Sequence, residues 1–181
     1  MTVALVLGGA ACVWDDVRAF EAFGIAPAVV VACNDVLVSW QGPLTAACSL
    51  HPDKLDGWLR KRAKAGLPAP EYAFADAMKA DAWGFDSTPY KFVGQSGTGS
   101  SGLFALKVAL EDLGATRAVL CGIPMDAQAH FYGGGPWNGN RTHRAGWQQA
   151  LPAINGRARS MSGWTREILG EPSPEWLRAA V

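Results

Sequence analysis

Small hydroxyl residues and glycines crowd one stretch of this chain, Gly94-Gln95-Ser96-Gly97-Thr98-Gly99-Ser100-Ser101-Gly102. Directly behind it Leu103, Leu106, Leu110 and Leu113 recur at helical spacing, with Lys107 and Glu111 on the other face at i,i+4. A helix that opens in glycines and serines presents free backbone N–H groups at the positive end of its dipole. That is a chemistry for holding phosphate or another anion. Gly99, Ser100, Ser101 and Gly102 are therefore the first candidate ligand-binding residues, their hydroxyls serving as further donors to phosphate or ribose.

The stretch fits known motifs unequally. Gly97 to Gly102 spells G-x-G-x-x-G, and Asp126 follows at about the distance, roughly 20 residues, of a ribose-binding acid. The match lies mid-chain, however, and no second mononucleotide half follows it, so dinucleotide binding is a weak reading. Gly94-x4-Gly99 is followed by Ser100-Ser101 and lacks the lysine of a P-loop. No five-residue G-x-S-x-G elbow forms, which speaks against a serine hydrolase of that type.

Other residues point to the same kind of ligand. Asn34-Asp35 ends an apolar run, where the Asn34 amide offers both a donor and an acceptor. From Ala127 to Arg166 there are five arginines and no acidic residue, a local basic region suited to an anionic substrate. Within it His143 stands beside Arg144 and near Arg141. The imidazole can act as general base, and the guanidinium groups can neutralise charge developing on a phosphate. Trp40 and Trp137 fall in loops where they could stack on a base or sugar. The three histidines, His51, His130 and His143, are far apart in the chain, and Cys12, Cys33, Cys48 and Cys121 show no C-x-x-C spacing. No metal site is read, and the cysteines are expected to be small buried thiols of a cytoplasmic protein.

Positioning these groups requires alternating strands and helices. Val3–Leu7 reads as a strand ending in the Gly8-Gly9 turn, Ala28–Cys33 as a buried strand, Val36–Trp40 as a helical turn, and Thr45–Leu50 as a short strand before His51. A helix is expected from Pro52-Asp53 to about Ala65, a short strand at Tyr72–Phe74, and another at Tyr90–Val93. The long helix then leads to a strand at Ala118–Cys121. A glycine-rich loop over 124–140 follows, then a helix capped by Thr142, a strand at Arg157–Met161 and a short helix capped by Thr165. Apolar strands alternating with helices predict one α/β domain over residues 1–181. The expected architecture is three-layer and Rossmann-like, with a mainly parallel sheet and helices on both faces. Ligands of such sheets bind beyond the carboxyl ends of the strands, where Gly8, Gly9, Asn34, Asp35, His51, Gly99 to Gly102 and Asp126 all fall. Zero formal net charge argues against a nucleic-acid partner, and no apolar run approaches the length of a membrane span.

The Gly8-Gly9 turn, Val-Ala-Cys-Asn34-Asp, Ser-Leu-His51-Pro, Gly-Ser-Ser101-Gly102-Leu-Phe-Ala-Leu and Leu-Gly114-Ala-Thr-Arg-Ala-Val-Leu-Cys-Gly122-Ile-Pro-Met-Asp together resemble two related Rossmann-like groups. One is the compact bacterial sialyltransferases that use CMP-sialic acid. The other is the archaeal-type hydroxymethyl-dihydropterin diphosphokinases. The first resemblance implies that Asn34, Ser101 and Gly102 contact the CMP moiety, that His51 replaces an asparagine, and that His143 and Tyr132 are the catalytic histidine and the tyrosine steadying the leaving phosphate. The family's G-N-G-P-S turn is here Gly8-Gly9-Ala10-Ala11-Cys12. The expected function is group transfer on a nucleotide or nucleotide-sugar without a cofactor, with His143 and Arg144 catalytic and Arg141 and Tyr132 on the substrate. The alternatives are a diphosphokinase using ATP and Mg²⁺ on Asp35 and Asp126, and a nucleotide-binding accessory protein without turnover.

Overall fold

The computed structural model describes residues 2–179. Its strands are β1 (Val3–Leu7), β2 (Val29–Cys33), β3 (Ala46–Ser49), β4 (Tyr72–Asp76), β5 (Asp86–Thr88), β6 (Arg117–Cys121) and β7 (Ala158–Ser160). They form one parallel sheet in the order β5-β4-β3-β2-β1-β6-β7. Every residue of β1, β2 and β6 is buried, as a strand covered on both faces requires. The helices are α1 (Val13–Glu21), α2 (Val36–Ser39), α3 (Pro52–Lys64), α4 (Ser101–Lys107), α5 (Asn140–Ile154), α6 (Gly163–Leu169) and α7 (Pro174–Arg178).

Alternation along β1 separates two cores. Val3, Leu5 and Leu7 pack with α1, α2, α3 and α7 on one face, while Ala4 and Val6 pack with α4, α5 and α6 on the other. The protein is thus a three-layer, Rossmann-like α/β fold. From β1 the chain builds outward through β2 to β5, and α4 then carries it back across β3, β2 and β1 to place β6 on β1's free side. The connections leaving β1 and β6 diverge there and open a crevice beyond the strand ends.

Several boundaries differ from the sequence reading. Tyr90–Val93 is not a strand: Phe92 and Gln95 close a turn, with the Phe92 N–H donating to Gln95 Oε1 at 3.1 Å and the Gln95 N–H to Phe92 O at 3.1 Å. The sheet instead takes Asp86–Thr88 as β5. α5 begins before Thr142, whose hydroxyl donates to Gly139 O, and Thr165 lies inside α6, donating to Ile123 O at 2.6 Å. α4 continues as a π-helical turn, Val108–Asp112. Lys107, expected on the outer face, is only 5% exposed; its ammonium meets Glu111 at 3.1 Å, Asp112 at 3.4 Å and Thr88 Oγ1 at 3.1 Å. The pairing with Glu111 forms, but beneath the edge of the sheet.

Candidate functional site

A cleft of about 300 Å³ fills the crevice between the ends of β1 and β6. Gly8 and Gly9 after β1, Asn34 after β2, His51 after β3, Gly99 to Gly102 at the start of α4, Asp126 after β6 and His143 on α5 all line it. Its floor depends on two glycines. A Cβ on Gly8 would lie 2.5 Å from Gly122 O, and one on Gly122, itself at φ +69°, would lie 2.5 Å from Gly8 O. Only bare backbone lets β1 and β6 end this close together.

Asn34 holds a left-handed conformation, φ 60°, which asparagine tolerates better than most residues. Its Oδ1 accepts from the Ser49 hydroxyl at 2.8 Å, and Ser49 Oγ in turn accepts from the His51 N–H at 3.0 Å. The Ser49 hydroxyl donates to Asn34 while accepting from the His51 backbone. With Oδ1 facing Ser49, the NH₂ end of the amide is left for a ligand. The buried Ser49 thus couples the two strand-end residues.

At the anion end, Ser100 caps α4, its Oγ accepting from the Leu103 N–H at 3.4 Å and from Trp147 Nε1 at 3.4 Å. Gln149 Oε1 accepts from the N–H groups of Gly97 at 2.6 Å and Ser96 at 3.1 Å, tying the glycine loop to α5. The N–H groups of Ser101 and Gly102, the first of the helix, find no partner among the described residues. They are the donors open to an anion.

Arg141 and Arg144 do not line the cleft. Arg141 is exposed at the start of α5. The Arg144 guanidinium lies 4.7 Å above the Trp164 ring, and its Nε donates at 3.0 Å to the carbonyl of Met125, a residue held at φ 51°. It therefore fastens the strained start of the β6–α5 connection. Three other arginines of the basic segment also bind carbonyls: Arg157 those of Leu110 and Ala115, Arg159 that of Leu169, Arg166 that of Met161. The basic stretch is largely a set of backbone fasteners, and among the described residues no arginine or lysine lines the cleft.

Tyr132 is 67% exposed and stacks on His130 at 4.9 Å rather than lining the cleft. Partial desolvation, the charge of Asp35 and the approach of the phenol to the Asp35 carboxylate as a hydrogen-bond donor push Tyr132 above the ordinary range. Asp35 stands behind the wall at the N-terminus of α2. His130, Gln128 and Trp137 do line the cleft, and Trp137 stacks on His143 at 5.7 Å. Spacing assigned no role to His130. It arrives through an isolated bridge to Ala10, a pairing with no local signature.

Among the described residues, seven buried side-chain polar atoms lack a hydrogen-bond partner. Four gather here: Asp35 Oδ1, Asp126 Oδ1, His130 Nδ1 and His143 Nδ1. Such atoms are rare in folded proteins and call for a partner. Below the floor, Asp16 Oδ2 accepts from the Gly122 N–H and the Ser162 hydroxyl, both at 2.8 Å. Burial pushes the Asp16 carboxyl up despite these bonds. The neighbouring Cys12 thiol, also raised by burial, sits at about 12 and is no nucleophile at neutral pH. All four cysteines are free thiols. Among the described residues no cluster of three or more His, Cys, Asp or Glu is disposed to hold a metal, and no helix is long and apolar enough to cross a membrane. No family model, curated protein or solved structure matches the chain.

Proposed function

We propose that the crevice binds a nucleotide or nucleotide-sugar and that the protein transfers a group away from its phosphate. The observation that carries this reading is the meeting, at one switch point, of free helix N–H groups with four unpartnered buried polar atoms. Phosphate would rest on Ser101 and Gly102, the nucleoside between the Asn34 amide and His51, and the transferred group toward Trp137 and His143. With no arginine or lysine on the wall among the described residues, the helix N–H groups bear most of the anion's charge. That favours a single phosphate as leaving group over a triphosphate.

Calorimetric titration with CMP, CDP, UDP, ADP, ATP with Mg²⁺, and NAD tests this, repeated on Ser101→Tyr, which fills the anion end. Micromolar binding of a mono- or diphosphate, lost in the variant, is expected. Binding of ATP only with Mg²⁺ would move Asp35 and Asp126 to metal ligands of a diphosphokinase. Tight binding with no turnover would make the chain an accessory protein. No binding by any nucleotide overturns the reading.

A further inference from the structure

Two of the unpartnered atoms meet at Gly9. His130 is held to the first turn by its backbone neighbours: the Ala11 N–H donates to Ala129 O at 2.9 Å and the Phe131 N–H to Gly9 O at 3.1 Å. Asp35 reaches the same place from the start of α2. A Cβ on Gly9 would lie 3.0 Å from His130 Nδ1 and 3.2 Å from Asp35 Oδ1. Imidazole and carboxylate therefore approach one point, in the space that this glycine leaves open. Each atom is buried, and neither has a hydrogen-bond partner among the described residues.

A carboxylate oxygen only accepts, whereas Nδ1 donates when it carries the proton. A proton on Nδ1 satisfies both atoms once the two groups close to hydrogen-bond distance. With Nδ1 unprotonated, Nδ1 and Oδ1 are both acceptors and neither satisfies the other; the Tyr132 hydroxyl is a second donor facing the Asp35 carboxylate. Tyr132, stacked nearly parallel on the ring at 18°, holds its plane.

We propose that Asp35 fixes His130 as the Nδ1–H tautomer, leaving Nε2 as a lone-pair nitrogen offered to the cleft. His130 is then a second proton acceptor of the site, and Asp35 its positioning residue. The chemical role rests on the group-transfer reading. As the acceptor hydroxyl oxygen bonds to the transferred group, its proton passes to Nε2. The bond to the phosphate oxygen breaks with its electron pair on phosphate, and the Asp35 carboxylate balances the imidazolium.

The pairing is tested without a ligand, by long-range ¹H–¹⁵N correlation spectra of ¹⁵N-histidine protein at a pH where His130 is neutral, assigned with His130→Gln. The Nδ1–H pattern is expected for His130, and conversion to Nε2–H in Asp35→Ala and in Gly9→Ala, where a methyl group separates the pair. An Nε2–H pattern in the wild type overturns the proposal, as does an Nδ1–H pattern that Asp35→Ala leaves unchanged. Should a variant fail to fold, the wild-type tautomer decides alone. Where a nucleotide binds and is turned over, His130→Gln is expected to retain binding and lose at least tenfold in kcat; unchanged kcat overturns the acceptor role. If no nucleotide binds, the functional reading falls while the tautomer still decides the pairing.

Discussion

Asp16 is a buried carboxyl under the crevice, with one oxygen shared by the Gly122 N–H and the Ser162 hydroxyl. Burial raises its pKa, and those two bonds oppose the shift. The folded protein therefore keeps this proton to higher pH than the unfolded chain does. The stability it contributes is complete below the ordinary carboxylate value of 3.8 and declines as pH rises from there through the raised value. Asp16→Asn removes the charge and keeps an acceptor. Urea midpoints measured across acidic to neutral pH should show the wild type losing stability relative to the variant as pH rises; parallel curves would contradict the assignment. Asn34 and His51 were legible in the sequence because a polar residue ending an apolar run marks a strand end. Ser49, which joins them, was not, since its role depends on how β2 and β3 lie side by side. The pairing of Asp35 with His130 depends likewise on two distant loops meeting at Gly9.

Helix α3 contributes a fastening that composition alone conceals. Arg62 is fully buried and donates to four carbonyls: Pro68 at 2.7 Å, Leu37 at 2.6 Å, Trp40 at 2.6 Å and Gly42 at 2.8 Å. It locks the end of α2, and α2 begins directly after Asp35. A lysine cannot present this planar fork, so Arg62→Lys is expected to cost about 3 kcal/mol in chemical denaturation, with no loss of helix at low denaturant. A loss under about 0.5 kcal/mol, the range of ordinary surface changes, would show that the carbonyls find water instead. The helices were mostly legible, because α3 has Pro52 at its start and a basic last turn, and α4 has Ser100 as its cap. Strand β5 was not: Asp-Ser-Thr has little strand preference, and its place is set by pairing with β4. Periodicity describes one helix and turns Lys107 outward, whereas in the fold β5 covers that side of α4 through Thr88.

Across the molecule, net charge and local charge mean different things. The formal balance is zero, and the arginine-rich segment that suggested an anion-binding face is largely committed to backbone carbonyls, most of them in neighbouring elements. Burying an arginine against carbonyls satisfies backbone acceptors that irregular loops leave open, and linear spacing cannot separate that use from ligand binding. The alternation of apolar strands and helices made the layered parallel sheet legible. The lateral order of the strands was not, because each is apolar on both faces and many orders bury them equally well. That order puts β1 between β2 and β6, with Val3 beside Arg117 and Leu7 beside Cys121 on the β6 side. On the ribosome, β1 is made long before β6, so its second edge stays unpaired until that later strand emerges. A chain stopped at Leu113, before β6, should therefore show no cooperative thermal transition and should associate through that open edge. Until the nascent chain has passed Cys121, it carries an open apolar strand edge of the kind that must be shielded from other chains.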